Sequence, residues 1–230
     1  MQSERPTKRV APGRTRANDP EGTRRRVLDA AAALFQDRGY AATGTQDLFA
    51  AAGVTSGAFY HHFTGKKDLG LAVVRERVAA EIEDTWLAPV RAARSTLEGV
   101  TRVFASIAKQ LDDNRAVRGC PVNNLTLELA YADPDFRHEL KQLFDGWRTA
   151  IAEKLATDMA ERRLARRDPD ALASYVIAVY SGAMALAKVE QRAQPLRDCL
   201  HALAQAIQPP PRPQPRPRSA AAKRTPGRLR

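Results

Sequence analysis

The sequence predicts an all-α protein of about nine helices, and three observations carry that prediction. Between residues 21 and 207 the apolar side chains recur at spacings of three and four, the period of a helix packed on one face. No stretch of useful length alternates apolar and polar residues as a half-buried strand would. Two Asp-Pro pairs, Asp133-Pro134 and Asp168-Pro169, each set a capping carboxylate before a proline at a first helical position.

Val27, Ala31, Leu34 and Phe35 share one face of a first helix that stops at Gly39, a residue suited to a left-handed cap. Short helices are expected from Thr45 to Ala52 and from Ser56 to Phe63. A long one begins near Lys67, carries Leu71, Val74, Val78 and Ile82, and is expected to end about Asp84, before Pro89. Ser95 and Glu98 have capping-box spacing and open a helix bearing Val100, Val103, Phe104, Ile107 and Leu111. A short helix starts near Pro121. The two Asp-Pro starts then give stripes from Phe136 to Leu155 and from Leu172 to Leu186, and a last helix carries Leu196, Cys199, Leu200, Leu203 and Ile207.

Charge narrows the class. The chain of 230 residues carries a formal +11, with 43% hydrophobic and 27% charged residues. Residues 1–20 hold five basic and two acidic side chains, and 208–230 hold seven basic and none acidic, leaving +1 for the rest. Global charge therefore describes the tails, which lack hydrophobic periodicity and are expected to be a disordered basic arm and a disordered Pro/Arg-rich tail. Two cysteines cannot build a disulfide framework or a four-ligand zinc site of their own. The longest run free of charged residues and histidine, Ala171 to Ala187, is 17 residues, shorter than the roughly 20 a bilayer span needs, so a buried helix in a cytoplasmic protein is expected, with no membrane partner. No metal-ligand cluster, phosphate-binding glycine loop or nucleophile–base set is recognisable, so neither an enzyme nor a cofactor is expected.

The informative run extends from Thr45 to Phe63. Leu48, Ala52, Val54, Phe59 and Phe63 supply a small apolar core, Gly53 permits a tight turn, and Thr55 or Ser56 caps the second of the two short helices. Helix, short turn and helix make a helix-turn-helix, whose second helix enters the major groove of double-stranded DNA. His61 and His62 are helix neighbours about 100° apart, an arrangement unsuited to one metal ion.

Gly53-Val54-Thr55, then Gly57, Phe59-Tyr60, His62-Phe63, Lys66 and Leu69, resembles the DNA-binding signature of TetR-family transcriptional regulators. The resemblance is specific over residues 24–70 and architectural beyond them. It implies a DNA-binding domain over 21–66 and an effector-binding and dimerisation domain over 67–207. It also implies roles: Thr45 on a phosphate, Gln46 near a base, Thr55 at the turn, and Ser56, Gly57 and Ala58 where base edges are approached. Tyr60, His61 and Lys66 would contact phosphates; His62 would either do the same or pack inward. Ser56 departs from the lysine many relatives carry there.

Gly119-Cys120-Pro121, followed by Asn124-Leu125 and Glu128-Leu129-Ala130, resembles a Gly-Cys subgroup of that family which includes the N-ethylmaleimide reductase repressor. Some members of the subgroup respond to electrophiles or oxidants. The resemblance makes Cys120 a sensor with Lys188 as its partner, and Asn124, Trp147 and Tyr180 candidate cavity residues. A thiol at a helix N-terminus near an ammonium would be acidified; the competing reading is a cysteine that only packs. Cys199, on an apolar face, reads as core. The resulting expectation is a homodimeric repressor that leaves a pseudo-palindromic operator when Cys120 is modified. It pairs through the stripes 172–186 and 196–207, with the helix from Lys67 as mechanical link. A reversibly bound inducer and a non-specific architectural DNA binder are the alternatives.

Overall fold

The computed structural model describes residues 19–114 and 116–207, and among these every regular element is helical. The expected basic tails fall outside the described residues, apart from Asp19 and Pro20, which begin the first helix. The described residues form nine helices: α1 (Pro20–Arg38), α2 (Thr45–Ala52), α3 (Ser56–His62), α4 (66–92), α5 (Thr96–Asp113), α6 (Pro121–Leu129), α7 (Pro134–Ala160), α8 (Pro169–Glu190) and α9 (Gln194–Ala206).

Local chemistry sets the ends. The Asp19 carboxylate accepts from Gly22 N at 2.9 Å, and Asp133 and Asp168 accept from Asp135 N and Asp170 N at the same distance. Each proline then sits where a helix has no partner for an N–H. Ser95 Oγ accepts from Glu98 N at 3.2 Å, but the Glu98 carboxylate returns to Arg94 N rather than to Ser95 N. The box expected there is thus closed one residue upstream.

The expected end of α4 before Pro89 is corrected. The helix runs on to Ala92 through two π-helical turns, Val74–Val78 and Glu83–Leu87. A proline inside an α-helix meets the carbonyl four residues back. Here the wider turn immediately before Pro89 absorbs one residue and relieves that contact.

One continuous core joins all nine helices. α1 packs on α2, α3 and α4, while α8 packs between α7 and α9, and α9 returns to α5. Leu172, Val176, Tyr180 and Ala183 of α8 and Leu196, Leu203 and Ile207 at α9 are buried within this single chain. Their assignment as pairing surfaces is therefore corrected: the 3.6-residue period marks burial, and the burial is intramolecular. Tyr175 and Leu186 of the same predicted stripe are exposed, and with Val189, Ala178, Gly182 and Ala185 they form an open face of α8. α8 is long and apolar enough to cross a membrane by length and composition, but eight of its 22 residues are buried in the core of this chain.

Candidate DNA-binding surface and effector cavity

The α2–α3 unit is built locally. Thr43 is fully buried, and its Oγ1 donates to Gly39 O at 2.7 Å, folding the chain back after α1. Asp47 accepts from Gly44 N at 3.0 Å and closes the start of α2. Gly53 ends α2 at φ 62°, ψ 43°, a left-handed conformation that costs a residue with a Cβ. Of the two candidates for capping α3 it is Thr55 that does so, accepting from Ala58 N at 3.2 Å. Leu48 and Phe59 are wholly buried, and Phe49, Phe59 and Phe63 lie ring to ring beneath the surface.

The residues expected to meet DNA share the outer side of this unit. Gln46, Thr55, Ser56, Gly57, Tyr60 and His61 are exposed; Thr45, Ala58, His62 and Lys66 are half-buried. Tyr60 turns its ring edge to Phe49 and Phe59 and leaves its remainder to solvent. His62 leans on Phe63. A Cβ added at Gly57 would meet nothing within 4 Å, so no contact inside the protein requires glycine there. Lys66 is partly engaged: its Nζ lies 4.4 Å from the Tyr40 ring centre and donates to Ala41 O at 3.3 Å, and burial lowers its pKa. An ammonium has three donors, so two remain.

Contacts that no local pattern announces hold this unit to the body. Arg24 on α1 grips Glu76 on α4 with two hydrogen bonds of 2.7 and 2.5 Å. Glu128, near the end of α6, accepts from Tyr40 N at 2.8 Å and Ala41 N at 2.5 Å, fixing the α1–α2 turn. Gln36 donates to Gly119 O at 2.8 Å and accepts from Asn124 at 3.0 Å. Gly70 lets α4 approach closely: a Cβ would come within 2.7 Å of Phe136 and 2.8 Å of Tyr40.

A cavity of about 500 Å³ lies behind this junction. It is walled by α1 (Ala32, Phe35, Gln36), α4 (Val73, Arg77, Val78, Glu81, Thr85), α5, the loop residues Asn114, Ala116 and 118–120, α6 and α8 (Tyr180, Met184). Val73, Arg77, Glu81 and Thr85 are four apart, a spacing that drifts by roughly 40° per step in a regular helix. The π turns take up extra residues and hold them on one side.

Of the predicted effector residues, Cys120 and Tyr180 line the cavity, while Asn124, Lys188 and Trp147 stand outside it. Lys188 donates to Asn124 Oδ1 at 3.1 Å, beside Gly119. Trp147 lies one layer deeper, in an aromatic cluster with Trp86 and Tyr180 at ring separations of 5.0 and 5.8 Å.

The expected acidification of Cys120 is corrected. Cys120 is the N-cap of α6 and is buried, and burial pushes its thiol up. The N–H groups of Asn123 and Val122 and the Tyr180 hydroxyl pull it partway back, while the Glu81 charge raises it further. Lys188 is not among the groups acting on it. Cys199 is half-buried against the core.

Residues 27–73 match the family described as bacterial regulatory proteins, tetR family, and 96–202 match the C-terminal domain of LmrA/YxaF-like transcriptional regulators. The HTH-type transcriptional repressor DhaR of Mycobacterium sp. is 31% identical, over 81% of this chain and 92% of its own. The chain belongs to the TetR family. Transcriptional regulator AcuR of Cereibacter sphaeroides is 33% identical over 70% of this chain and 74% of its own. A crystal structure of regulatory protein TetR from Rhodobacter sphaeroides superposes with TM-score 0.73 at 26% identity, covering 80% of this chain and 98% of that one. Reduced E. coli NemR shares the fold, with TM-score 0.70 at 22% identity over 82% of this chain and 99% of its own. TetR-family members are DNA-binding transcriptional regulators, not enzymes, and the α2–α3 surface is this chain's helix-turn-helix.

Proposed function

We propose that this TetR-family regulator is a cytoplasmic homodimeric repressor, released from a pseudo-palindromic operator when a small molecule occupies the cavity behind α1. One observation carries the reading: the helix that supports the helix-turn-helix also walls the cavity through Ala32, Phe35 and Gln36. A ligand seated there touches α1, the helix on which α2 and α3 pack. It favours whichever arrangement of α1 against α4 and α6 it fits better, by its differential affinity for the two. The open face of α8 around Leu186 is the surface we assign to the twofold partner, because an exposed uncharged stripe of this kind suits helix-on-helix pairing. Thr45, Gln46, Ser56, Gly57, Ala58, Tyr60, His61, His62 and Lys66 would then face successive major grooves.

A second reading, release through covalent modification of Cys120 by an electrophile or oxidant, is favoured by the position of Cys120 on the cavity wall. On conjugate addition to an α,β-unsaturated carbonyl electrophile, the sulfur gives up its proton to water and bonds to the β-carbon, the carbon–carbon π pair moves toward the carbonyl oxygen, and a proton from water completes the α-carbon. Against it stands a thiol held in its neutral form, with Lys188 turned to Asn124. Operator release, followed by fluorescence anisotropy in wild type and Cys120→Ser, separates the two. A response kept by Cys120→Ser supports the reversible ligand. A response lost in Cys120→Ser, with fold and operator affinity intact, transfers the function to the thiol.

A further inference from the structure

Among the described residues the cavity has one uncommitted charge, and it is negative. Arg77 and Arg118 both reach its rim, but each is held by a carboxylate on α1. Arg77 Nε lies 2.7 Å from Asp29 Oδ1, and Arg118 Nε lies 2.8 Å from Asp37 Oδ1. Glu81, on α4 between the two π turns, has no hydrogen bond or ion pair among the described residues. The residue lines the cavity yet stays exposed to solvent; the partial burial of its carboxyl raises its pKa, with no opposing cation among the described residues. Its charge reaches across to Cys120 and Tyr180 and raises both. The remaining wall mixes apolar side chains, among them Phe35, Leu125 and Met184, with the neutral polar Gln36, Gln110 and Asn114, and the buried Tyr180 ring closes one side.

An unpaired carboxylate on the rim of a cavity with neutral polar and apolar walls and an aromatic ring favours a partner that brings positive charge and N–H donors. An anion would meet Glu81 while both guanidiniums are already paired. Resting on the reading of this cavity as the effector site, we propose that it takes a small organic ammonium ion. The cation pairs with Glu81 and the hydrocarbon body lies against Phe35, Leu125 and Tyr180.

Calorimetric titration of the full-length protein tests this without DNA. The probes are phenethylammonium, 2-phenylethanol and phenylacetate, with hexylammonium, hexanol and hexanoate as a second body shape. The ammonium member of each set should bind about tenfold or more tightly than its alcohol and its carboxylate, the scale of one lost charge pair. Glu81→Gln, which keeps shape and hydrogen-bonding capacity, should abolish the preference, and Glu81→Arg should turn it toward the carboxylates. Equal or tighter binding of the neutral or anionic probes, no heat from either ammonium at millimolar concentration, or an unchanged preference in Glu81→Gln overturns the assignment. Operator release is read separately. Glu81-dependent ammonium binding that leaves the operator complex intact would remove the repressor-release reading and leave the ligand class standing.

Discussion

The helix-turn-helix and the cavity behind it are made in opposite ways. Every part of the first lies between Thr43 and Lys66: its caps, its left-handed Gly53, its small aromatic core and its exposed face. The cavity draws on α1, α4, α5, α6, α8 and a loop, over residues 32 to 184. A surface built from contiguous residues keeps its chemistry when the rest of the protein changes. A cavity built from distant ones changes with every repacking. That difference suits a fold that keeps one DNA-reading unit while its cavity varies.

The largest expected effect breaks the proposed twofold pairing. Leu186→Glu places a charge in the open stripe of α8. It should convert the proposed dimer to a monomer by light scattering and weaken operator binding by about 100-fold or more, the scale of lost bivalency. A variant that stays dimeric would move the interface elsewhere.

Cutting the tie between the regions comes next. Glu128→Ala removes the acceptor of the Tyr40 and Ala41 N–H groups, at a cost of about 1–3 kcal/mol in thermal unfolding. Operator affinity should fall about tenfold while probe binding in the cavity stays as in wild type, since Glu128 is not on its wall. Equal losses in both would mean that the residue serves only general stability.

Gly57→Ala sharpens the comparison from the DNA side. Alanine is the better helix former by roughly 1 kcal/mol, and nothing in the protein obstructs its Cβ. Stability should hold or rise while operator affinity drops several-fold, because the methyl group stands between backbone and base edge. Undiminished affinity would take Gly57 out of the DNA interface.

The smallest effect is chemical. With its pKa raised, Cys120 holds little thiolate at neutral pH. Its alkylation by iodoacetamide, tracked by mass spectrometry, should be slower than that of a free peptide thiol and should accelerate as pH rises past the ordinary thiol range. Rapid alkylation at pH 7 would restore the activated thiolate and with it the electrophile reading.

Legibility in the sequence divides along the same line. The Asp-Pro starts, Gly53 and the spacing from Thr45 to Phe63 announced their elements because each acts on its neighbours in the chain. Pro89 misled, since a proline ends a regular helix but is accommodated by a π turn, and no residue pattern announces one. The α8 stripe marked burial without naming the surface that buries it. Gln36, Glu81 and Glu128 look like ordinary polar helix residues, and only packing brings Glu81 to the cavity and Glu128 to the α1–α2 turn. Lys188 seemed a partner for Cys120 by resemblance alone; in three dimensions Asn124 takes it.

The central claim is that a twofold pair of α2–α3 units reads a defined DNA sequence. Selection of bound duplexes from a random pool by the full-length protein, at physiological salt with excess competitor DNA, tests it most directly. The expected result is an enriched pseudo-palindrome, with half-sites spaced for successive major grooves and recovery lost in Leu186→Glu. Binding without an enriched sequence, carried instead by the basic tails, would contradict it.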